Sequence, residues 1–254
     1  MNPIAIVPTY NERKNIRELI ETIIQEAPHP NLHILVVDSA SPDGTAKTVR
    51  SLQKDYPFLH LLCQEAKLGL GRAYLDGMKW ALERPYDCVI TMDADFSHHP
   101  RYLKNFLESA KDHDLVVGCR YIRGGELCNW PWHRRFLSRF ANGYAHFMTG
   151  LPLHDLTSGF HCFRSDLLKK ILAGKIMTEG YAFLIELKHQ AILKGASFEE
   201  IPIRFNDRTK GQSKISKRVI LESMIFVCRL FFQRNRVRQA VRQASSTSTQ
   251  VMAY

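Results

Sequence analysis

Two carboxylates one residue apart, Asp93 and Asp95, are the side chains whose spacing most directly suggests chemistry. They follow a mostly apolar run over residues 86–92, and a long apolar run is typical of a parallel strand buried on both faces. Ligands of open α/β sheets bind just outside the carboxyl ends of the strands. Hard divalent cations take carboxylate oxygens and keep room for substrate phosphates. The pattern therefore predicts a metal site at Asp93 and Asp95, with a solvated acidic loop as the alternative that an isolated Asp-x-Asp leaves open.

The chain around this pair alternates short apolar runs with amphipathic segments. We predict strands over the runs 4–7, 32–37, 58–63, 86–92 and 115–119. Between them, apolar residues recur at helical spacing, as in Ile16, Leu19, Ile20 and Ile23. This alternation predicts an α/β fold of right-handed βαβ units around a mostly parallel sheet.

Three of these predicted strands end in charged residues. Asp38 ends the second strand, Asp93 and Asp95 follow the fourth, and Arg120 follows the fifth. A nucleoside-diphosphate site needs such a set, because carboxylates hold metal and hydroxyl groups while cations neutralise phosphate. The sequence contains neither a Gly-x-Gly-x-x-Gly after the first strand nor a Gly-x-x-x-x-Gly-Lys-Ser/Thr, which argues against a dinucleotide-dependent dehydrogenase and a P-loop enzyme.

Composition limits the function classes further. The 254 residues are 45% hydrophobic and 24% charged, which is enough apolar surface for a large core. The net charge of +10 suits an anionic partner. No nucleic-acid-binding motif accompanies it, so we expect no nucleic-acid partner. The six cysteines lack Cys-x-x-Cys spacing, which predicts a reducing compartment and no zinc site.

The C-terminal region suggests contact with a membrane. We predict a catalytic domain over residues 1–215, an amphipathic membrane-interface helix over 216–233, and a basic, polar, disordered tail over 234–254. A membrane-spanning helix needs about 20 apolar residues, so we expect no transmembrane segment and a peripheral position on the cytoplasmic face of a membrane. Packing of the final helix on the core, or binding to a small transmembrane partner subunit, are the alternatives.

A series of short segments resembles a known family. The segments are 8–12 (Pro-Thr-Tyr-Asn-Glu), 41–45 (Ser-Pro-Asp-Gly-Thr), 68–71 (Leu-Gly-Leu-Gly), 93–100 (Asp-Ala-Asp-Phe-Ser-His-His-Pro), 118–121, 155–160 and 205–214. Together they resemble the family 2 inverting glycosyltransferases, and among these the dolichyl-phosphate (polyprenyl-phosphate) mannose synthases. The resemblance extends over most of the chain, to the end of the predicted final helix.

The resemblance implies a GT-A (Rossmann-like) fold, an Mg²⁺ or Mn²⁺ ion, a nucleotide-sugar donor such as GDP-mannose, and a polyprenyl monophosphate acceptor. The implied donor-binding residues are Pro8, Tyr10, Glu12, Val37, Asp38, Asp93, Ala94, Asp95, Arg120, Arg208 and Lys214. The implied catalytic residues are Asp93, Asp95, Arg120 and Arg208, with Asp93 and Asp95 as the metal ligands. The implied acceptor-binding residues are Arg134 and Ser138.

Two positions depart from the pattern of this family. Ser39 stands where a second acidic residue is usual, so a UDP-sugar or another nucleotide sugar is the alternative donor, and another acceptor is also open. His161 stands where Arg is common after Ser-Gly-Phe. A phosphate acceptor is largely dianionic at pH 7 and needs little base catalysis. We therefore expect His98 and His99 to be structural, and we keep a catalytically silent membrane scaffold as a different class of function.

Overall fold

The fold is built around one large sheet. The computed structural model describes residues 1–27, 29–174, 176–178, 182–206 and 217–251. In chain order the strands are β1 (Pro3–Thr9), β2 (His33–Asp38), β3 (Leu59–Cys63), β4 (Cys88–Thr91), β5 (Leu115–Cys119), β6 (Glu126–Cys128), β7 (His161–Arg164), β8 (Phe198–Pro202) and β9 (Arg204–Asn206). The large sheet has the order β3-β2-β1-β4-β7-β5-β8, while β6 and β9 pair with each other.

Helices cover both faces of this sheet. They are α1 (Arg13–Glu26), α2 (Thr45–Leu52), α3 (Leu70–Leu82), α4 (Leu103–Ser109), α5 (Trp132–Thr149), α6 (Ser165–Leu172), α7 (Ala182–Leu193), α8 (Lys217–Phe231) and α9 (Arg234–Val251). A 3₁₀ turn, Pro100–Tyr102, leads into α4.

One strand of the large sheet runs against the others. β7 pairs antiparallel with both β4 and β5, whereas the pairs β1/β2, β1/β4, β2/β3 and β5/β8 are parallel. The structure thus confirms the α/β class and the mostly parallel sheet. Because β7 is reversed, it begins at the edge where its parallel neighbours end, and this brings the segment before it to that edge.

The sheet is buried on both faces, which explains the continuous apolar runs in the sequence. In β1, Ile4 and Ile6 join the apolar cluster on one face, and Ala5 and Val7 join the cluster on the other. Helix α3 packs against β1 through Gly77, where an added Cβ would lie only 2.7 Å from Ile6 Cγ2. A larger residue at this position would push α3 off the sheet.

The C-terminal region differs from the expectation of a disordered tail over 234–254. Residues 234–251 form helix α9, and Val237 is fully buried in the same cluster as Phe226, Val227 and Leu230 of α8. Arg, Gln and Ala are good helix formers, and burial of Val237 anchors the helix. Helix α8, which corresponds to the predicted helix over 216–233, packs on the core through Phe226, Val227 and Leu230, and this was one of the alternatives. Its role at a membrane stays a prediction. Within the described residues, no helix combines the length and apolarity needed to cross a bilayer.

Candidate active site

The carboxyl edge of the parallel strands brings the predicted site residues together. In the sheet register, Thr9 at the end of β1 lies beside Asp38, and Ile6 lies beside Thr91 at the end of β4. His161, the first residue of β7, pairs with Thr91. The edge therefore gathers Asp38, the segment after β4, the start of the segment after β5, and residues 155–160.

Asp93 is fixed by two neighbours while part of its side chain remains accessible. The Tyr74 hydroxyl donates to Asp93 Oδ1 at 3.1 Å, and the Asp93 backbone N–H donates to His98 Nδ1 at 2.9 Å. The Asp93 side chain is 26% exposed. Its carboxylate is therefore oriented from within the protein and open toward a ligand.

Asp95 lies in a tight turn and is almost completely buried, with 5% exposure. Its Oδ1 accepts hydrogen bonds from the Ser97 hydroxyl at 2.6 Å and from the Ser97 backbone N–H at 3.1 Å. Between them, Phe96 has a φ of 63°, a left-handed conformation that costs a non-glycine residue about 1–3 kcal/mol. The turn fixes the Asp95 carboxylate at the expense of this strain.

His98 supports this arrangement from within the protein. Its side chain is 1% exposed, and its ring stacks on Phe160 with centroids 5.0 Å apart. Because Nδ1 accepts the Asp93 N–H, the ring proton lies on Nε2. Burial lowers the pKa of His98, although the charge of Asp93 opposes this shift. The 3.8 Å approach of His98 Nδ1 to Asp93 Oδ2 is therefore no ion pair, since the ring is neutral.

The donor atoms at this edge fit a hard divalent cation. Among the described residues, no group of three or more His, Cys, Asp and Glu side chains could form an all-protein metal cage. A Mg²⁺-type ion does not require one, because it is held by one or two carboxylates together with water and substrate phosphates. Asp93 and Asp95 supply two carboxylates of this kind, one of them accessible.

Asp38 and Ser39 are both engaged in hydrogen bonds at the end of β2. Asp38 Oδ1 accepts from the hydroxyls of Thr9 at 2.9 Å and Ser41 at 2.6 Å. The Ser39 hydroxyl donates to Gln64 Oε1 at 2.7 Å, and Gln64 Nε2 donates to Asp76 Oδ2 at 2.7 Å. Gln64 thus links Ser39 to the Asp76 carboxylate, whereas the family pattern has an acidic residue at position 39 itself.

The remaining predicted nucleotide-binding residues divide into accessible and buried side chains. Tyr10 is half-buried, and Lys67 Nζ lies 4.0 Å from the centre of its ring. Glu12 is half-buried and accepts from Asn15 Nδ2 at 2.9 Å. The side chains of Pro8, Val37 and Ala94 are buried. Val37 packs in the core beside α3, so its side chain serves packing.

Arg120 forms a buried, bidentate ion pair with Asp155. Arg120 Nε donates to Asp155 Oδ2, and an Nη donates to Oδ1, both at 2.7 Å. The side chains are 6% and 0% exposed. Burial alone would raise the pKa of Asp155, but the charge and hydrogen bonds of Arg120 together hold it below its usual value. The contacts give Arg120 a role in fixing the segment 155–158, and its predicted contact with phosphate stays a prediction.

The predicted acceptor residues lie on α5. Ser138 Oγ is 2.7 Å from the Tyr121 hydroxyl, which ties α5 to the residue after Arg120. The guanidinium carbon of Arg134 lies 3.9 Å from the centre of the Trp130 ring. Arg208 and Lys214 lie outside the described residues.

Sequence reasoning missed three residues that build this site: Tyr74, Asp155 and Lys188. Tyr74 and Lys188 occupy ordinary helical positions in the sequence, and nothing nearby distinguishes them. Asp155 belongs to a segment that carries the family resemblance, and an acidic residue in an otherwise apolar and small stretch was the available signal. Their contacts span long sequence separations, which single-sequence patterns do not report.

Comparison with known proteins places these features in one family. The sequence model described as Glycosyl transferase family 2 matches residues 4–172. Polyprenol monophosphomannose synthase of Mycolicibacterium smegmatis is 41% identical over 226 residues, covering 88% of this chain and 84% of the relative. Undecaprenyl-phosphate mannosyltransferase of Micrococcus luteus is 37% identical over 229 residues, covering 90% and 93%.

Solved structures confirm the GT-A fold. A mannosyltransferase from Pyrobaculum calidifontis in complex with GDP-Man and Mn²⁺ superimposes with a TM-score of 0.57 at 17% identity, covering 99% of this chain and 78% of the other. Glucosyl-3-phosphoglycerate synthase from Mycobacterium tuberculosis in complex with Mn²⁺ and UDP gives a TM-score of 0.61 at 15% identity, covering 92% and 79%. At these identities the likeness concerns the fold.

Proposed function

The chain belongs to glycosyl transferase family 2, and we propose that it transfers a mannosyl residue from GDP-mannose to a polyprenyl monophosphate at a membrane surface, with inversion and with a Mg²⁺ or Mn²⁺ ion. One observation supports placing the reaction at Asp93 and Asp95. A partly accessible Asp93, fixed by Tyr74 and His98, is separated by one residue from the buried Asp95 at the carboxyl edge of the sheet. Two relatives above 35% identity have names that specify a polyprenyl-linked acceptor.

The reaction asks the protein to bring two anions together and to stabilise a leaving diphosphate. An acceptor phosphate oxygen attacks the anomeric carbon, the bond from that carbon to the donor phosphate breaks, and GDP leaves on the opposite side. A cation bound by Asp93 and Asp95 would supply positive charge to the departing diphosphate. The attacking phosphate is largely dianionic at pH 7, so no residue has to remove a proton from it. His98 agrees with this division of roles, because it is buried and its Nδ1 already accepts the Asp93 backbone N–H.

The fixed hydrogen bonds around Asp93 matter because such stabilisation depends on preorganised groups. Tyr74 restricts the carboxylate, and His98 restricts the backbone at the same residue. On the other side of the edge, Asp155 orients Arg120. Arg208 and Lys214 complete the proposed phosphate-binding set on the strength of the resemblance.

A transfer assay tests the proposal directly. Purified protein is incubated with polyprenyl phosphate, Mg²⁺ or Mn²⁺, and radiolabelled GDP-mannose, UDP-glucose or UDP-N-acetylglucosamine in parallel. We expect label to enter the organic phase only with GDP-mannose, and to stop doing so when EDTA is added. Transfer from a UDP-sugar alone would support the alternative donor, and absence of transfer from every donor would support the silent scaffold.

A surface around α5 and α8 supports the membrane part of the proposal. We call it the aromatic face, and its exposed apolar residues are Trp132, Phe136, Leu137, Phe140, Phe147, Met224, Ile225, Phe231 and Phe232. Trp132 and Phe136 are 80% and 67% exposed. The two helices are joined by the Tyr144 hydroxyl, which donates to Met224 O at 3.1 Å. Scattered exposed apolar residues are ordinary, but a contiguous set marks an interaction site.

The charges beside the aromatic face favour an anionic lipid surface. Helix α5 contains His133, Arg134, Arg135 and Arg139 and no acidic residue. Arg134 and Ser138 lie on the side of α5 that faces the protein, while Phe136 and Phe140 lie on the opposite, exposed side. An acceptor whose chain stays in the bilayer could thus present its phosphate near the start of α5. Aromatic and basic residues on one helix are the composition of interfacial helices.

Vesicle binding with matched charge variants tests the aromatic face. Arg135→Glu with Arg139→Glu should weaken binding to anionic vesicles at low salt by at least about 30-fold, because each basic residue contributes about 1 kcal/mol near such a surface. Lys104→Glu with Lys111→Glu makes the same charge change on and just after α4 and should have much less effect. Equal losses in the two variants would indicate nonspecific attraction. Absence of vesicle binding by the unaltered protein would favour a small transmembrane partner subunit as the ligand of the aromatic face.

A further inference from the structure

Helix α7 carries a lysine that is completely buried behind the site. Lys188 is 0% exposed. Its Nζ donates to the Ser158 carbonyl oxygen at 2.8 Å and lies 2.7 Å from His161 Nε2. Burying an amine costs free energy even when it is hydrogen-bonded, and an apolar side chain would fill a helix–sheet contact without that cost. The position of the two partners suggests what the amine does there.

The first partner, His161, connects Lys188 to β4, the strand that precedes Asp93 and Asp95. His161 is fully buried, and burial, together with the charge of Lys188, lowers its pKa well below the usual value, so the ring is neutral. With Lys188 donating to Nε2, the ring proton lies on Nδ1, which is 3.3 Å from the Thr91 hydroxyl. The Thr91 hydroxyl donates in turn to Gly159 O at 2.8 Å. Thr91 is the last residue of β4 and lies two residues before Asp93.

The second partner, Ser158, connects Lys188 to Arg120 through Asp155. The backbone N–H of Ser158 donates to Asp155 Oδ1 at 2.9 Å, and Asp155 holds the Arg120 guanidinium through two bonds of 2.7 Å. Lys188 and Arg120 therefore hold the segment 155–158 from two sides. One amine contacts both the support of β4 and the turn that fixes Arg120.

We propose that Lys188 is a positioning residue of the transferase site. Through His161 and Ser158 it fixes the position of the carboxylates after β4 relative to the Asp155–Arg120 pair. This inference rests on the proposed function, because it assigns Lys188 to the same site. It assigns no contact between Lys188 and substrate. Misplacement of a reacting group by about 1 Å can cost 100-fold in rate, so loosening this relation should be visible in turnover and in metal-assisted binding.

Lys188→Met tests the proposal, because methionine has a similar length and no donor. We expect kcat to fall by about 10- to 100-fold. We expect GDP affinity without metal to stay within a few-fold of the unaltered protein, since the Lys188 amine bonds Ser158 and His161, which lie outside the predicted nucleotide-binding residues at the end of β2. The increase in GDP affinity on adding Mn²⁺, measured by calorimetry, should shrink. A purely structural lysine would lower the melting temperature without changing this increase at a temperature well below melting.

Two further variants keep the test decisive. Lys194→Met makes the same change at an exposed position just after α7 and should leave the Mn²⁺-dependent increase and kcat unchanged. If Lys188→Met does not fold, the double variant Lys188→Met with His161→Leu replaces the pair by apolar groups, a change that is often close to neutral for stability. A folded variant at position 188 with the normal Mn²⁺-dependent increase and normal kcat would overturn the inference. Absence of transfer by the unaltered protein would instead count against the proposed function, and the GDP measurements would still test Lys188.

Discussion

Replacing Asp155 by asparagine should show how much the buried pair with Arg120 contributes to stability. The carboxylate is fully buried and pairs with an Arg120 side chain that is 6% exposed. Asparagine keeps a carbonyl oxygen for the backbone N–H groups of Thr157 and Ser158, which bond Asp155 Oδ1 at 3.2 and 2.9 Å. The change buries the guanidinium without its counter-charge, and it puts an amide NH₂ in the place of Oδ2, which accepts from Arg120 Nε at 2.7 Å and from the Arg120 backbone N–H at 3.1 Å.

The expected cost follows from breaking this buried pair. Removing one partner of a buried ion pair costs about 3–5 kcal/mol. For a domain of this size each kcal/mol lowers Tm by about 2–4 °C, so Asp155→Asn should melt roughly 6–20 °C below the unaltered protein at pH 7. The control is Glu126→Gln, which breaks the Arg204–Glu126 pair, whose side chains are 63% and 53% exposed and 3.5 Å apart. Such a pair contributes about 1 kcal/mol or less.

Acid should reduce the difference between Asp155→Asn and the unaltered protein. Arg120 holds the pKa of Asp155 below its usual value. A carboxylate with a depressed pKa contributes stability that is present above its unfolded pKa of about 3.9 and is lost as the pH falls through the folded value. The Tm difference should therefore be largest near neutrality and shrink below about pH 4. Thermal melts at several pH values provide the measurement, and equal Tm values for Asp155→Asn and Glu126→Gln at pH 7 would refute the reasoning.

Three further outcomes are expected. Asp95→Asn should keep the fold and lose at least about 100-fold in transfer, because the leaving diphosphate loses stabilisation; near-normal turnover in the radiolabel assay would contradict the metal assignment. GDP should compete at least about tenfold better than UDP or ADP for the donor site in a displacement assay, and a tenfold preference for UDP would make the alternative donor correct. Burial lowers the pKa of His189 to about 4, so protonation of the unfolded state below about pH 6.5 should cost about 2 kcal/mol of stability by pH 5. His189→Leu should remove that loss in chemical denaturation, and an unchanged pH dependence would show that other groups cause it.

The sequence was most informative where burial alone determines structure. Residues 4–7 and most of residues 86–92 are apolar because both faces of the sheet are covered, so their strands were predictable within a few residues. Direction was not predictable for β7, because antiparallel placement between β4 and β5 depends on long-range pairing that a four-residue strand does not encode. Helix α9 was missed because its polar composition resembles that of a disordered tail, whereas burial of Val237 against the core decides its state.

Local hydrogen bonds also altered one expected boundary. Ser41 before Pro42 is typical of an N-cap followed by proline at the first helical position, yet α2 begins at Thr45. The Ser41 hydroxyl donates to Asp38 at 2.6 Å, and Asp43 Oδ1 accepts the Thr45 backbone N–H at 2.9 Å. Gly44, with a φ of 89°, precedes the helix, and the Asp43 side chain bonds its first backbone N–H. The residue types alone do not show that Ser41 bonds Asp38 and leaves the start of the helix to Asp43.

The pairing of Arg120 with Asp155 changes how positive charge must be distributed in the proposed reaction. The sequence places a cation after β5 and suggests a phosphate ligand, but the structure commits much of its hydrogen-bonding capacity to a buried carboxylate. An arginine neutralised in this way contributes orientation more than net charge. In the proposed reaction, a cation that Asp93 and Asp95 would hold, together with the basic residues assigned by resemblance, Arg208 and Lys214, would then supply most of the stabilisation of the leaving diphosphate. Because Asp155 is itself held by the turn that Lys188 supports, the orientation of Arg120 depends on α7 as well as on β5.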